Sequence, residues 1–273
     1  MFGLGRYFRL FAAFGRFSLA NEMAFRANYA MKVLVEILWL GILLVFFDTL
    51  YGHTGAIAQW DRYQFLFFLG CYYTLEGLIE TLFLENATDF AELVRTGNLD
   101  FYLLKPVDEQ FLVSLRKVDW STAPKILLGG VIMTYALVAL AGQGEWVFDP
   151  LRALAFLTLF VCGVTLAYSF LLLLASTSVW LVRNQSLMEM WWLFTTLMRY
   201  PRDIYWGGWA SPLYVFFSFA VPVLLVISVP AEVMLKGLDW RFVALTVAAA
   251  ALLLAFSRWF FFRSLRSYRS ASS

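Results

Sequence analysis

The sequence predicts an all-α integral membrane protein with six transmembrane helices, an N-terminal amphipathic interfacial helix and a short cytoplasmic helix between the second and third spans. Of its 273 residues, 62% are hydrophobic and only 15% are charged, and the mean hydropathy is +0.72. A soluble domain carries about 25% charged residues. This number of polar groups is too small to cover the surface of a folded protein in water. Lipid is therefore expected around much of the chain.

Five apolar runs have the length that a membrane-crossing helix needs. The fourth run is long enough to tilt or to protrude from the bilayer. A sixth crossing is expected within 184–240, where "RYPRDIYWGGW" and three prolines interrupt the apolar pattern. The five runs cover about residues 29–50, 63–84, 121–141, 151–182 and 241–262.

Lysine and arginine residues predict the orientation, because cytoplasmic loops carry an excess of both. They occur in the N-terminal segment, in the 85–120 loop and at the C-terminus, whereas the loops "YGHTGAIAQWD" and "AGQGEWVFD" contain none. Both termini and the 85–120 loop are therefore expected in the cytoplasm, which requires an even number of spans. The basic residues are Arg6, Arg9, Arg16, Arg26, Arg95, Lys105, Arg116, Lys117, Arg258, Arg263, Arg266 and Arg269.

The path of the fifth span has two alternatives. Arg199 and Arg202 favour a cytoplasmic 199–203 segment, followed by a crossing over 211–230. Alternatively, 187–200 begins the crossing and the proline-rich part is a re-entrant element on the outer side. Irregular backbone at membrane depth is tolerated where protein or a water-filled cavity covers it.

Residues 1–28 form the predicted interfacial segment, and residues 29–273 form the six-span domain. The spacing of Arg6, Arg9 and Arg16 places them on one helix face, with Leu4, Phe8 and Phe11 on the other side. A basic helix with an aromatic face lies in the headgroup plane of a bilayer. The alternative is that the arginines only fix the topology.

Residues 85–106, "ENATDFAELVRTGNLDFYLLKP", predict a compact cytoplasmic knob within the 85–120 loop. Asp89 and Glu92 have capping-box spacing, Arg95 suits the C-terminal end of a helix dipole, and Gly97 suits a left-handed residue after the helix. These signals predict a helix over 90–96, and a second helix over about 108–119. An apolar surface is expected from Leu99, Phe101, Leu103 and Leu104.

A stiff knob of this kind has the shape that receives force from a cytosolic partner. The alternative is a plain connecting loop on the inner membrane surface.

Motifs for catalysis are scarce. His53 is the only histidine, which excludes a multi-histidine zinc site, and no G-x-x-x-x-G-K-[ST] motif offers a phosphate cradle. The net charge of +2 is too small to indicate the excess of basic residues that nucleic-acid-binding proteins carry. No cofactor is therefore expected on this chain, and a lipid-modifying enzyme is disfavoured.

Four ionisable residues lie within the first two spans: Lys32, Glu36, Glu76 and Glu80. Each pair is four residues apart and shares a helix face. The spans are antiparallel and all four residues lie nearer the cytoplasmic ends, so a polar cluster at one depth is expected. Such a cluster forms a proton relay or lines a substrate path. The alternatives are a structural ion-pair network, or snorkelling of Lys32 to the interface.

These features together resemble the permease subunits of ABC-2-type exporters, in particular a six-span bacterial subgroup that has a separate ATPase. The resemblance extends over nearly the whole chain. It rests on "ELVRTGNLDFYLLKPVDEQF" (92–111), "RYPRDIY" (199–205), "VPAEVMLKG" (229–237) and "RSLRSYRSASS" (263–273).

The resemblance implies that the 89–104 segment is the coupling helix that docks into an ABC-type ATPase subunit, and that 4–26 is the family's amphipathic connecting helix. ATP and Mg²⁺ would be bound by that partner. A second permease, either a copy or a related chain, would complete the complex in a bacterial plasma (inner) membrane. The docking residues implied are Asp89, Glu92, Arg95, Gly97, Asp100, Leu103 and Leu104.

The function expected from the sequence is therefore the permease of an ABC exporter, with a substrate path between the first, second and fifth spans. No residue selects a substrate. The alternative function is an ion- or proton-coupled secondary transporter that uses Glu36, Glu76 and Glu80. Such transporters commonly contain inverted repeats, and the sequence shows none.

Overall fold

A computed structural model describes residues 4–181, 185–207 and 211–268, which form helices and turns with no named β-strand. The all-α prediction is confirmed. Arg269 lies outside the described residues. The helices are α1 (Leu4–Ala24), α2 (Arg26–His53), α3 (Arg62–Thr96), α4 (Asp100–Leu103), α5 (Glu109–Leu115), α6 (Ala123–Gly142), α7 (Pro150–Thr177), α8 (Gln185–Met198), α9 (Ser211–Ala220), α10 (Leu225–Leu235) and α11 (Trp240–Ser267).

Five of the described helices are long and apolar enough to cross a membrane: α2, α3, α6, α7 and α11. They coincide with the five apolar runs of the sequence. Helices α9 and α10 are bent by 94° relative to each other, and the count reaches six if this pair is one span.

The two ends of the bundle are distinguished by the segments that meet there. The linker end contains α1 and the linker 97–122. Helix α11 runs toward this end, as the hydrogen bond from Arg258 near its C-terminus to Gln110 Oε1 at 2.7 Å shows. The loop end holds the loops 54–61 and 143–149. There, Lys236 donates to the Gln59 carbonyl at 3.0 Å, and Trp146 donates to the Met234 carbonyl at 3.2 Å.

The α9–α10 pair begins and ends at the loop end. Arg202, before α9, donates to Glu232 Oε2 near the end of α10 at 2.7 Å. Asp203 accepts a hydrogen bond from Trp60 of the 54–61 loop at 3.1 Å. Residues 199–203 therefore lie at the opposite end from the C-terminus of α11. The alternative that placed them beside the termini is wrong, and the pair has the shape of a re-entrant element.

Proline chemistry explains the break between α9 and α10. Pro222 has no N–H to donate, and it disfavours helical backbone at the residue before it. Val221 accordingly leaves the helical region, with φ −122° and ψ 85°. The charge rule does not apply to Arg202, because Glu232 neutralises it inside the protein at the loop end.

Helix α3 runs without interruption from Arg62 to Thr96, and the predicted separate helix over 90–96 is wrong. A π-helical turn over Glu80–Leu84 lies inside it. The capping box at Asp89 does not form, because Asp89 lies in the helix interior and its carboxylate pairs with Arg116 at 2.5 Å. The predicted end is confirmed: Gly97 is left-handed, with φ +76°.

The second linker helix, α5, is shorter than predicted. It begins correctly, since the Asp108 side chain accepts a hydrogen bond from the Phe111 N–H at 3.0 Å. It ends at Leu115, because the next residues bond sideways to α3. The Asn86 side chain accepts from Lys117 N at 2.9 Å and donates to its carbonyl at 2.7 Å.

Helices α3 and α6 approach each other through small residues. A Cβ atom added at Gly129 would lie 2.7 Å from the Gly70 carbonyl oxygen. A Cβ added at Gly77 would lie 2.7 Å from Lys125 Cβ. Small residues allow such close approach in membranes, where packing replaces the hydrophobic effect as the driving force for helix association.

We expect Gly129→Val to lower the free energy of unfolding by about 1–3 kcal/mol, because the added side chain overpacks the α3–α6 contact. Gly130→Val is the matched control, since no atom lies within 4 Å of a Cβ added there. Thermal unfolding in detergent measures both variants. Equal melting temperatures for the two would contradict the assigned contact.

Candidate functional site

Residues 85–96 of the predicted knob belong to α3, so the knob that projects at the linker end consists of residues 97–105. Phe101 and Leu104 are 68% and 82% exposed, whereas Leu99 is fully buried. Leu103 is partly buried against the core. The predicted apolar surface is therefore correct for Phe101 and Leu104 but wrong for Leu99, whose side chain anchors the knob.

Ion pairs fix the base of the knob. Lys117 Nζ lies 2.7 Å from Asp89 Oδ2 and 3.0 Å from Glu85 Oε1. The Arg116 guanidinium, which also pairs with Asp89, lies over the ring of Tyr102 at 4.8 Å. The carboxylate of Asp89 therefore holds the linker to α3, and its side chain is only 29% exposed.

Glu92 and Arg95 are the exposed charges beside the knob. They form a bidentate pair, with nitrogen–oxygen distances of 2.8 and 2.6 Å, and both side chains are more than half exposed. Exposed pairs of this kind add little to stability. Both charges lie near the end of α3, just before Gly97, where the knob begins.

Helix α1 is clamped to the linker. Glu22 Oε1 accepts from the Trp120 N–H at 2.9 Å, and the Trp120 indole donates to the Gly15 carbonyl at 2.9 Å. Ser18 accepts from the Val118 N–H at 3.1 Å. Phe11 is partly buried and Phe8 is exposed, so protein covers part of the apolar side that was expected to face lipid.

A buried charge cluster joins the first three membrane helices. Lys125 Nζ of α6 lies 2.6 Å from Glu80 Oε2, 3.1 Å from Glu36 Oε2 and 3.8 Å from Glu76 Oε2. Glu36 comes from α2, and the other two carboxylates come from α3. The Lys125 and Glu76 side chains are each only 8% exposed.

The polar cluster continues toward the loop end. Glu76 Oε1 accepts a hydrogen bond from the Tyr72 hydroxyl at 2.6 Å, and that hydroxyl accepts from Arg199 Nη2 at 3.1 Å. The chain of contacts thus links α2, α3 and α6 to the residue that follows α8. None of the residues that the structure describes forms a group placed to hold a metal ion.

The structure brings three members of the predicted cluster together and places the fourth, Lys32, apart from them. Lys32 makes no ion pair in the described chain, and Lys125 takes its place beside the three glutamates. The only signal for Lys125 in the sequence is its position at the start of the third span. Its depth matches that of Glu80, since the second and third spans are antiparallel neighbours.

The balance of charge decides how the cluster behaves. Three carboxylates share one ammonium group, and Arg199 supplies further positive charge through Tyr72. A buried charge that loses its partner costs far more than an exposed one, since little water replaces the contact. The cluster therefore constrains which helices can separate from one another.

The class of protein follows from this geometry: a multi-pass helical membrane protein with ionisable groups buried between its spans. A family model for an ABC-2 family transporter protein matches residues 37–272. The chain belongs to this family of ABC transporter permeases. No match was found among curated proteins or solved structures.

We expect Lys125→Met to destabilise the fold by about 3–5 kcal/mol, because three buried carboxylates lose their shared cation. Lys105→Met is the control, since Lys105 is exposed and surface changes usually stay within about 0.5 kcal/mol. Unfolding of both variants in detergent gives the comparison. A Lys125→Met protein as stable as the control would show that the cluster does not hold the helices together.

Proposed function

We propose that this chain is the membrane permease of an ABC exporter in a bacterial plasma membrane, driven by ATP and Mg²⁺ on a separate ATPase subunit. The linker end, with both termini, faces the cytoplasm, and the loop end faces outward. The distribution of lysine and arginine supports this orientation. Membership of the ABC-2 family supports transport as the activity.

One observation carries the assignment of the docking site: two large apolar side chains, Phe101 and Leu104, project from a knob that ion pairs hold rigidly to α3. Exposed apolar residues rimmed by charges mark protein interaction sites. Because α3 is one continuous helix over Arg62–Thr96, a displacement of the knob moves a membrane-spanning element directly.

The seven residues of the proposed coupling segment divide by role. Leu104 provides the apolar contact, and Glu92 and Arg95 provide the charged rim. Asp89 acts as a positioning residue through Arg116 and Lys117. Gly97 supplies the left-handed turn that starts the knob, and Leu103 supports it from within. Asp100 opens the short α4 helix.

A second permease, either a copy or a related chain, is the expected neighbour in the membrane. Most of α2 is exposed, since only 11% of its most apolar window is buried in the described chain. Substrate would pass between the first, second and fifth spans of the paired permeases. Lipids, hydrophobic drugs and peptides all suit such a path, and no residue selects among them.

The docking proposal is tested by Leu104→Asp in the affinity-tagged chain, purified from the native membrane. We expect loss of the co-purifying P-loop ATPase, detected by mass spectrometry and by ATP hydrolysis. Val147→Asp is the control, because Val147 is 78% exposed but lies in the 143–149 loop. Undiminished co-purification with Leu104→Asp, or a chain that transports without an ATPase, would overturn the proposal.

The buried cluster favours a second candidate, a secondary transporter in which Glu36, Glu76 and Glu80 carry a coupling ion or proton. Intramembrane carboxylates mark ion pathways in such proteins. The distinguishing measurement is transport by Glu76→Gln and Glu80→Gln chains in vesicles under an imposed proton gradient, without ATP. Gradient-driven transport that these variants abolish would favour the second candidate, and transport that needs ATP favours the ABC permease.

A further inference from the structure

A groove of about 750 Å³ lies at the linker end, where α1, the start of α2 and the linker meet. The residues that shape its mouth are aromatic: Phe17 and Phe25 are 76% and 70% exposed, and Tyr29 lies one turn beyond Phe25. Aromatic side chains concentrate at the boundary between lipid and water. The groove is therefore placed at headgroup depth.

The groove contains a cation without an ion pair. Lys32 lies seven residues into α2, about 9 Å along the helix axis from Arg26. Glu36 is on the same face one turn away, but its carboxylate pairs with Lys125 at 3.1 Å. Among the described residues, Lys32 makes no ion pair and no hydrogen bond. Ionisable residues in membrane helices usually have a partner.

The opposite wall carries two carboxylates, Glu22 and Asp119, that form no ion pair with another described residue. Glu22 Oε1 accepts from the Trp120 N–H, but its buried Oε2 has no hydrogen-bond partner. Asp119 lies near enough to interact with Glu22 electrostatically. Burial raises the pKa of Glu22, the direction expected for a carboxylate that lacks donors. The other two carboxylates of the groove, Glu85 and Asp89, are already paired with Lys117.

Lys32 and Glu22 attract each other across the groove, but they lie beyond the 4.0 Å of an ion pair. Among the described residues, the lining thus offers a positive group without an ion pair on one side and two carboxylates without an ion pair on the other. Asp119 Oδ1 also accepts hydrogen bonds from the Ser121 N–H at 3.0 Å and from the Ser121 hydroxyl at 2.5 Å. A purely anionic ligand would suit Lys32 and would be repelled by Glu22 and Asp119. A ligand that carries both a phosphate and an ammonium group suits both walls.

The exposed apolar surface of α2 next to the groove favours a lipid over a soluble ligand. Val35 and Trp39 continue the face of Lys32 along α2, and they are 44% and 64% exposed. Acyl chains attached to a headgroup in the groove would lie along these side chains. A free phosphorylated amine would leave this apolar track empty.

We propose that the groove binds the headgroup of one aminophospholipid, with the phosphate at Lys32 and the primary ammonium at Glu22 and Asp119. The ammonium donates up to three hydrogen bonds, one of which would reach the carboxylate of Glu22. Binding there would hold the clamped α1 to the first span through the lipid. The inference needs a membrane-embedded chain but does not depend on the proposed ATPase.

The experiment is native mass spectrometry of the delipidated full chain, titrated with phosphatidylethanolamine, phosphatidylcholine and phosphatidylglycerol. We expect one tightly retained phosphatidylethanolamine, favoured about tenfold over the other two, since a charge-assisted hydrogen bond is worth about that factor. Phosphatidylcholine lacks N–H donors, and phosphatidylglycerol lacks the cation. Equal retention of the three lipids would overturn the proposal.

Substitutions on each wall of the groove test the phosphate site and the ammonium site separately. Lys32→Gln is expected to weaken retention of every phospholipid about tenfold, whereas Glu22→Gln removes mainly the preference for phosphatidylethanolamine. Lys32→Arg keeps the charge and should restore binding, which shows that the positive charge at this position is what retains the lipid. Arg263→Gln is the control, because Arg263 is exposed at the same end outside the groove. Lipid retention that is the same in all four variants contradicts the assignment.

Competition with soluble phosphoethanolamine tests whether the groove recognises a whole lipid or a soluble headgroup compound. We expect no displacement of the bound lipid at millimolar concentration, because the soluble compound makes no contact with Val35 and Trp39. Displacement at that concentration would mean that the groove recognises a soluble ligand, and the lipid assignment would be wrong.

Discussion

The ammonium group of Lys125 is the contact on which the arrangement of the first three membrane helices depends. Helix α2 has little burial of its own, so the ion pair with Glu36 and a hydrogen bond from Tyr73 to the Glu36 carbonyl at 3.0 Å tie it to α3 and α6. The ammonium also binds Glu80, which keeps the cation satisfied if α2 moves away. Small residues give the close packing of α3 on α6, and Lys125 adds the ion pair that ties the looser α2 to both.

The two ends of the bundle are built in different ways. At the linker end, backbone hydrogen bonds and ion pairs join α1, the linker and the end of α3 into one unit. At the loop end, Arg202 stacks on Phe242 at 3.6 Å and pairs with Glu232, which holds the re-entrant pair in place. The knob thus belongs to a stiff assembly, and the irregular backbone lies at the opposite end of the membrane helices.

Hydrophobic length alone predicted the five long spans, because a bilayer imposes one dimension on every crossing segment. Local chemistry predicted the end of α3, since Gly97 suits a left-handed residue. The errors came from contacts between distant segments. Asp89 resembled a helix cap until Arg116 was placed beside it, and Arg202 resembled a cytoplasmic charge until Glu232 neutralised it. Lys125 was not included in the predicted cluster, because a single sequence does not show which neighbouring helix supplies the cation to the glutamates.

The π-helical turn at Glu80–Leu84 adjusts the rotational phase of α3. An α-helix advances about 100° per residue, and a π turn accommodates one extra residue. Glu76 before the turn and Glu80 at its first residue face Lys125, while Asp89 after the turn faces the linker. Loss of a single residue here would swing one set of carboxylates away from its partner, so the length of this short stretch matters more than its composition.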